Sequence, residues 1–348
     1  MVTLFIGPLG GGKVPNNGAS IKNFYLYNRL KQYIETIVCI DTEQWRKRPW
    51  VIIKLLGRIL IHRKCQIIIS TSNTSAYRLI NLINKINSKA LVFYWVIGGS
   101  LGTDLVKGKW PYAKYRSLKR IIVEGTSMQR DLNKLGLDNC LFIPNFKNFD
   151  KEIVRKHNEN QDIVRFVFLS RIVPYKGSEV ILEAVKYLND RGYNEQFEID
   201  FYGPFEPGYK QEFCAKANSC GNVSYKGFID LRKFDNYTIL SEYDFMLFPT
   251  YWESEGCPGI ILDAYYAGIP IIATDWNLNS DYVLEGVTGM LVQGKNPVQL
   301  ALKMKAVLDH EIDVKSMKKN ALAQFSNYKV ENVLSKENLE RVGIKLNN

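Results

Sequence analysis

Three observations predict an α/β chain with two doubly wound parallel sheets. At 348 residues, 46% of them hydrophobic, the chain is globular and longer than one core usually organises. Short apolar runs alternate with helix-period segments throughout, as parallel sheets require. Residues 244–275 then show one repeat of that pattern: a strand, an acidic loop, a helix and another strand, without a spare residue between them.

In the amino-terminal half, strands are predicted over residues 2–6, 36–40, 66–70, 91–96, 120–123 and 140–143, with a first helix over 19–30. In the second half, strands are predicted over 164–169, 197–202, 223–225 and 290–292, and helices over 178–188, 209–217, 297–308 and 314–325. Residues 146–162 are polar enough to link two domains, and 330–342 are amphipathic. The domain bounds read as 1–145, a linker 146–162, 163–325, and a carboxyl-terminal helix in 326–348.

Within 244–275, Phe245 to Phe248 is the continuous apolar run of a strand buried on both faces, and Pro249-Thr250 stops it. Residues 250–258 are therefore a loop at the carboxyl end of a strand, where open α/β sheets bind ligands. Pro258 suits a helix start, residues 259–267 have helical apolar spacing, and Gly268 closes the helix. Glu253 and Glu255 lie on the loop, and Asp263 lies in the helix. The expectation is that all three carboxylates face one cleft.

Charge is uneven. Residues 1–150 hold 23 Lys and Arg against 8 Asp and Glu, a balance of +15, and the rest hold 23 against 27, a balance of −4. The first half is therefore expected to meet something anionic. Residues 45–64 carry seven Lys or Arg, no acidic residue, and Trp45 and Trp50. Lys54, Arg58 and His62 recur every four residues, which places them on one helix face, with Ile53, Leu56, Leu60 and Ile61 elsewhere. This pattern predicts an anchor lying on an anionic membrane surface. Residues 107–120 add six basic residues interleaved with aromatics. No helix-turn-helix, ribonucleoprotein or zinc-finger pattern supports nucleic acid as the partner. The six cysteines form no C-x-x-C pair, so neither a disulfide framework nor a metal site is expected. Residues 2–6 read as a first strand rather than a leader, and no run of 18 apolar residues occurs, which predicts a cytoplasmic protein peripheral to the inner membrane face.

Gly7 to Lys13 has the spacing G-x-x-x-x-G-K of a phosphate-binding NTPase loop. That loop needs Ser or Thr after the lysine, whereas Val14 and Pro15 follow here. Ser170-Arg-Ile-Val-Pro-Tyr-Lys-Gly177 puts Arg171 and Lys176 between a strand end and a helix start, where cations and free N–H groups converge on a diphosphate.

Residues 170–177 and 253–275 resemble the retaining glycosyltransferases of family 4, which have the GT-B fold of two Rossmann-like domains facing across a cleft and build bacterial surface polysaccharides. The family's Arg, four residues, Lys-Gly is matched by Arg171, Lys176 and Gly177. Its Glu, seven residues, Glu is matched by Glu255 and Asp263, the second carboxylate one methylene shorter. The resemblance implies a metal-independent hexosyltransferase that takes a nucleoside diphosphate-sugar as substrate, with no cofactor, and a glycan or lipid-linked acceptor. Arg171 and Lys176 would take the diphosphate, Glu255 the sugar hydroxyls and Asp263 the ribose. Gly256, Cys257, Pro258 and Gly259 would line the donor, and Phe228 and Ile229 would pack on the base or belong to the core. Gly11 and Gly12 in the first loop, and Asp104, are assigned to the acceptor side. The three histidines, His62, His157 and His310, lie away from these loops, so histidine catalysis is not expected. A non-catalytic sugar-nucleotide or glycan-binding module, or an NTPase using Lys13, is the alternative.

Overall fold

Two six-stranded sheets, parallel throughout, organise residues 1–15, 17–149, 151–156 and 162–347, the part of the chain that the computed structural model describes. The first sheet contains β1 (Thr3–Gly7), β2 (Ile37–Asp41), β3 (Gln66–Ser72), β4 (Leu91–Ile97), β5 (Arg120–Val123) and β6 (Cys140–Phe142), in the order β2-β1-β3-β4-β5-β6. The second contains β7 (Val164–Leu169), β8 (Phe197–Tyr202), β9 (Val223–Gly227), β10 (Phe245–Phe248), β11 (Ile271–Thr274) and β12 (Gly289–Val292), in the order β12-β11-β10-β7-β8-β9. Sheet order reverses direction at β1/β3 in one sheet and at β7/β10 in the other. Such switch points leave a crevice at the strands' carboxyl ends.

The chain divides into one unit of Met1–Asn148 with Tyr328–Asn348 and another of Phe149–Asn327. These divisions differ from the expected 145, 163 and 325 because residues at both crossings carry packing. Phe146 is buried in the first core, and Lys147 bridges Lys329. Phe149 stacks on Tyr266 with ring centroids 3.9 Å apart. The remainder of the expected linker lies partly outside the described residues.

In the first unit, β1 is buried at all five positions. Asn17 and Ser20 form a capping box that starts α1 (Gly18–Tyr33), and Leu26 and Leu30 fix its core face. The carboxyl-terminal segment belongs to the same core, through Val330, Val333, Leu334, Leu339, Val342 and Ile344. Each fully buried aliphatic side chain is worth roughly 1.5–3 kcal/mol. Hydrogen bonds add direction to that packing: Gln66 exchanges two with the Lys345 backbone, and Arg29 Nε donates to the Leu334 carbonyl at 3.0 Å.

The basic segment differs from its expected shape. Trp45–Lys47 makes a single 3-10 turn, and α2 runs from Trp50 to Ile61 with His62 as its cap, beyond the helix proper. Val51, Leu55 and Ile59 are the buried stripe, which periodicity concealed because apolar residues also occupy the opposite face of the helix. Trp50, Ile53, Leu60 and Ile61 stay exposed at 60%, 73%, 51% and 71%. The outward face of α2 is therefore apolar, with Lys54 and Arg58 along its flank. No helix among the described residues is long and apolar enough to cross a membrane.

Candidate functional site

The β7/β10 switch point of the second unit gathers most of the expected site. The loop after β7 carries Arg171 and Lys176 and turns through Gly177 into the helix Ser178–Asn189. Gly177 has φ +94°, and a Cβ there would lie 2.4 Å from the Pro249 carbonyl oxygen, so glycine is required where this loop presses on the β10 exit. The loop after β10 leads through Pro258 into the helix Gly259–Ala267. Neither helix start has a side-chain cap. Their first N–H groups and dipoles thus form two anion-attracting ends at one crevice.

Lys176 Nζ forms a short ion pair with Glu255 Oε2, their side chains 18% and 13% exposed. Thr250, fully buried, donates to the same oxygen at 3.1 Å. The Tyr251 N–H donates to the Tyr175 carbonyl at 3.0 Å, and Tyr175 packs edge-on against Trp252 at 4.2 Å. Lys176 also lies 5.4 Å from the Trp252 ring. Charge, hydrogen bond and ring contact thus hold the two loops together. Arg171 is exposed and makes no hydrogen bond or ion pair among the described residues, leaving its five donors for an anion.

Spacing alone did not reveal what holds the acidic loop. Asn277, in the turn after β11, adopts φ +50°. Its Nδ2 lies within 3.2 Å of the carbonyls of Trp252, Glu253 and Glu255, while Trp276 Nε1 donates to the Trp252 carbonyl at 2.8 Å. An Asn in a sparsely populated backbone region that binds a neighbouring loop signals constraint there. Its neighbours in sequence offer no such cue.

The three carboxylates do not share one environment. Glu253 is exposed. Asp263 is buried, 4% exposed, and accepts from Tyr237 Oη at 2.5 Å. It therefore sits among the side chains behind the helix start, whereas Glu255 faces Lys176. Cys257 and Pro258 are buried, with Gly256 and Gly259 half-buried beside them. After β9, Phe228 is 66% exposed and Ile229 is buried at 7%, so only Phe228 presents a free ring.

In the first unit, Asp41 at the end of β2 governs the glycine-rich loop. Its carboxylate accepts from the N–H groups of Leu9 (2.9 Å), Gly11 (2.7 Å) and Glu43 (2.9 Å). Gly10, Gly11 and Gly12 all have positive φ. An NTPase loop aims such N–H groups at phosphate, whereas here a carboxylate occupies them. Lys13 closes a turn onto Gly10 at 3.1 Å, and α1 begins only at Gly18. The NTPase alternative fails on this geometry. Asp104 is committed to its own neighbourhood, accepting from Ser100 (3.1 Å), Asn73 (3.1 Å) and Lys109 (3.2 Å). Of the histidines, His62 caps α2 and His310 occupies a turn at φ +57°; His157 lies outside the described residues.

Residues 149–324 match the family model described as Glycosyl transferases group 1. Over 183 residues the chain is 28% identical to an uncharacterized 41.2 kDa protein in the cps region of Klebsiella pneumoniae, covering 51% of this chain and 46% of that protein. Protein CapJ of Staphylococcus aureus is 30% identical over 189 residues, covering 52% and 45%. D-inositol 3-phosphate glycosyltransferase of Geodermatophilus obscurus is 27% identical over 183, covering 50% and 39%. The matches thus span less than half the length of these relatives. Among solved structures, the apo lipopolysaccharide outer core galactosyltransferase WaaB superposes with TM-score 0.73 at 13% identity over 99% of both chains. Anabaena HepE in complex with UDP superposes with TM-score 0.72 at 14% identity over 99% of this chain and 100% of that one. Likeness at these identities shows the fold, and the two-sheet GT-B architecture expected from the sequence is the one observed.

Proposed function

The chain belongs to the glycosyl transferases group 1 family, and we propose that it moves a hexose from a nucleoside diphosphate-sugar to a lipid-linked glycan during assembly of a cell-surface polysaccharide. The observation that carries this reading is the Lys176–Glu255 pair at the β7/β10 switch point, with Arg171, unpartnered among the described residues, on the same loop and two uncapped helix starts beside it. A diphosphate there offers Lys176 and Arg171 a stronger counter-charge than one carboxylate, and sugar hydroxyls offer Glu255 new donors. Donor binding therefore exchanges one ion pair for two sets of charge-assisted contacts.

In the proposed reaction the acceptor oxygen bonds to the anomeric carbon as the bond from that carbon to the diphosphate oxygen breaks. The acceptor's proton passes to the departing diphosphate. Attack on the face the diphosphate leaves gives retention, as the family resemblance implies. Arg171, Lys176 and the N–H groups of the helix starts stabilise the negative charge that grows on the leaving group, so the reading needs no metal. Phe228 packs on the base.

The cellular setting rests on relatives. One lies in a cps region, and WaaB is a lipopolysaccharide galactosyltransferase. The exposed apolar face of α2 and the basic residues around it support docking on the inner membrane surface, where a lipid-linked acceptor is met.

The test is a thermal-shift screen against UDP-, GDP-, ADP- and dTDP-sugars, followed by assay of nucleoside diphosphate release. UDP heads the panel because HepE was solved with it. Donor at 100 times its dissociation constant should stabilise the chain by about 2.7 kcal/mol. No stabilisation by any donor refutes the reading. Stabilisation without nucleotide release when acceptor lipid extract is added identifies a binding module instead.

A further inference from the structure

A second cavity lies wholly inside the first unit, at the carboxyl ends of β1, β2 and β3, and none of the roles assigned above uses it. Its volume is about 300 Å³, at the lower end of ligand sites, which run from about 300 to 1,000 Å³. Val51, Ile52 and Leu55 of α2 form one wall, and Leu79 and Leu82 of α3 (Asn73–Ile86) form the other. Trp45, Glu43 and Arg78 complete the lining.

Two polar groups make this cavity more than a packing gap. Glu43 Oε2 is shut off from solvent and has no hydrogen-bond partner among the described residues. A carboxylate oxygen in that state incurs its desolvation cost without compensation, so it calls for a donor such as a hydroxyl. Arg78 is exposed and makes no hydrogen bond or ion pair among the described residues, so it offers a fork to an anion such as phosphate. Apolar walls, an orphan acceptor and a free guanidinium together describe an amphiphile: hydrocarbon, then phosphate, then a hydroxyl-bearing group. Charge agrees, since Arg46 and Lys47 adjoin Trp45 in a half of the chain that carries +15. The helix that walls the cavity with Val51 and Leu55 turns Ile53 and Ile61 outward.

We infer that this cavity receives the head-proximal hydrocarbon of the acceptor's phosphate-bearing lipid carrier, with the phosphate on Arg78 and a hydroxyl of the first sugar on Glu43. The inference deepens the proposed function and rests on its lipid-linked acceptor. It makes α2 two-sided: one face recognises a single lipid molecule, and the other rests on the bilayer.

The test uses equilibrium dialysis of the full chain with farnesyl phosphate below its critical micelle concentration, in the absence of any sugar donor. Farnesyl phosphate should bind at least tenfold more tightly than farnesol, and inorganic phosphate should not compete. Ile52→Trp, which fills the cavity from a position 38% exposed, should weaken binding tenfold or more. Arg78→Gln should reduce farnesyl phosphate to the level of farnesol. Farnesyl phosphoryl glucose should bind more tightly than farnesyl phosphate, and Glu43→Gln should erase that difference. Unchanged binding in Ile52→Trp, or full displacement by inorganic phosphate or by phosphatidylglycerol vesicles, would overturn the inference. Because this experiment contains no donor, it is independent of the nucleotide-release assay above: lipid binding here with no release there would refute the proposed function alone, and release there with no lipid binding here would refute this site alone.

Discussion

Lys176 and Glu255, 79 positions apart in the chain, meet as an ion pair across the switch point of the second sheet. Each neutralises a charge that the half-buried crevice would otherwise leave unpaired. These two groups thus satisfy one another, and a donor must replace both partners together. This coupling sets the outcomes expected below.

Arg171→Ala and Lys176→Ala should each lower turnover about 10²-fold or more, comparable to removing one donor from an oxyanion hole. Their effects on stability should differ. Arg171 is exposed and unpartnered among the described residues, so its loss should leave the melting temperature unchanged. Loss of Lys176 leaves Glu255 half-buried without its cation, so it should lower the melting temperature. Kinetics and calorimetry on both variants check this; wild-type turnover in both would remove the diphosphate assignment.

Asp263 answers a different question from Glu255. The family motif that this stretch resembles has Glu at the matching position, so the resemblance alone would suggest that Asp263→Glu is harmless. The side chain is 4% exposed and accepts from Tyr237, so an added methylene should strain the packing by about 1–3 kcal/mol. Glu255→Gln can keep the hydrogen bond from Thr250 but leaves Lys176 without its counter-charge, so it should lower the melting temperature modestly and activity strongly. Thermal melts beside rates separate the two; a neutral melt for Asp263→Glu would show that the helix yields there.

Asn277 allows a test of loop positioning. Asn277→Ala removes the amide that gathers three carbonyls and leaves a residue ill suited to φ +50°, so two effects mix. Asn277→Gly accepts that φ and removes only the amide. Asn277→Gly should therefore raise the donor dissociation constant about tenfold with little change in melting temperature, since Glu255 loses its fixed position. Unaltered donor binding in Asn277→Gly would show that Trp276 and Thr250 hold the loop without it.

Much of this was legible in the sequence because parallel sheets announce themselves locally. Strands buried on both faces read as continuous apolar runs, such as Phe245–Phe248, and loops of fixed spacing follow them. Arg171, Lys176 and Glu255 were found that way, and the fold brings them to one crevice. What escaped depends on long-range partners. Nothing near Gly11 indicates that Asp41, thirty positions on, will occupy its N–H. Nothing near Glu255 points to Asn277. In α2 the buried stripe of Val51, Leu55 and Ile59 was masked by apolar residues on the opposite face as well. Phe228 and Ile229, adjacent and both apolar, could be separated only by tertiary burial.

The outward face of α2 leads to the last prediction. Val51, Leu55 and Ile59 turn inward, so Trp50, Ile53, Leu60 and Ile61 do not stabilise the fold and remain available for insertion at a bilayer surface. Basic residues near an anionic leaflet add about 1 kcal/mol each, and that share weakens as salt shortens the screening length to about 8 Å near 0.15 M. Vesicle sedimentation can separate the two contributions. Changing Arg46, Lys47, Lys54 and Arg58 to Gln should abolish the preference for anionic vesicles and its salt dependence. Arg48 is left in place, because it donates to the Glu43 carbonyl and lies 3.9 Å from Asp41, so its loss would disturb the first loop. The double variant Ile53→Glu with Ile61→Glu should reduce pelleting at every salt concentration without lowering the melting temperature, since both side chains are over 70% exposed. Equal pelleting with neutral and anionic vesicles, or pelleting that survives both sets of changes, would mean that the basic half serves the acceptor's phosphate and not a membrane.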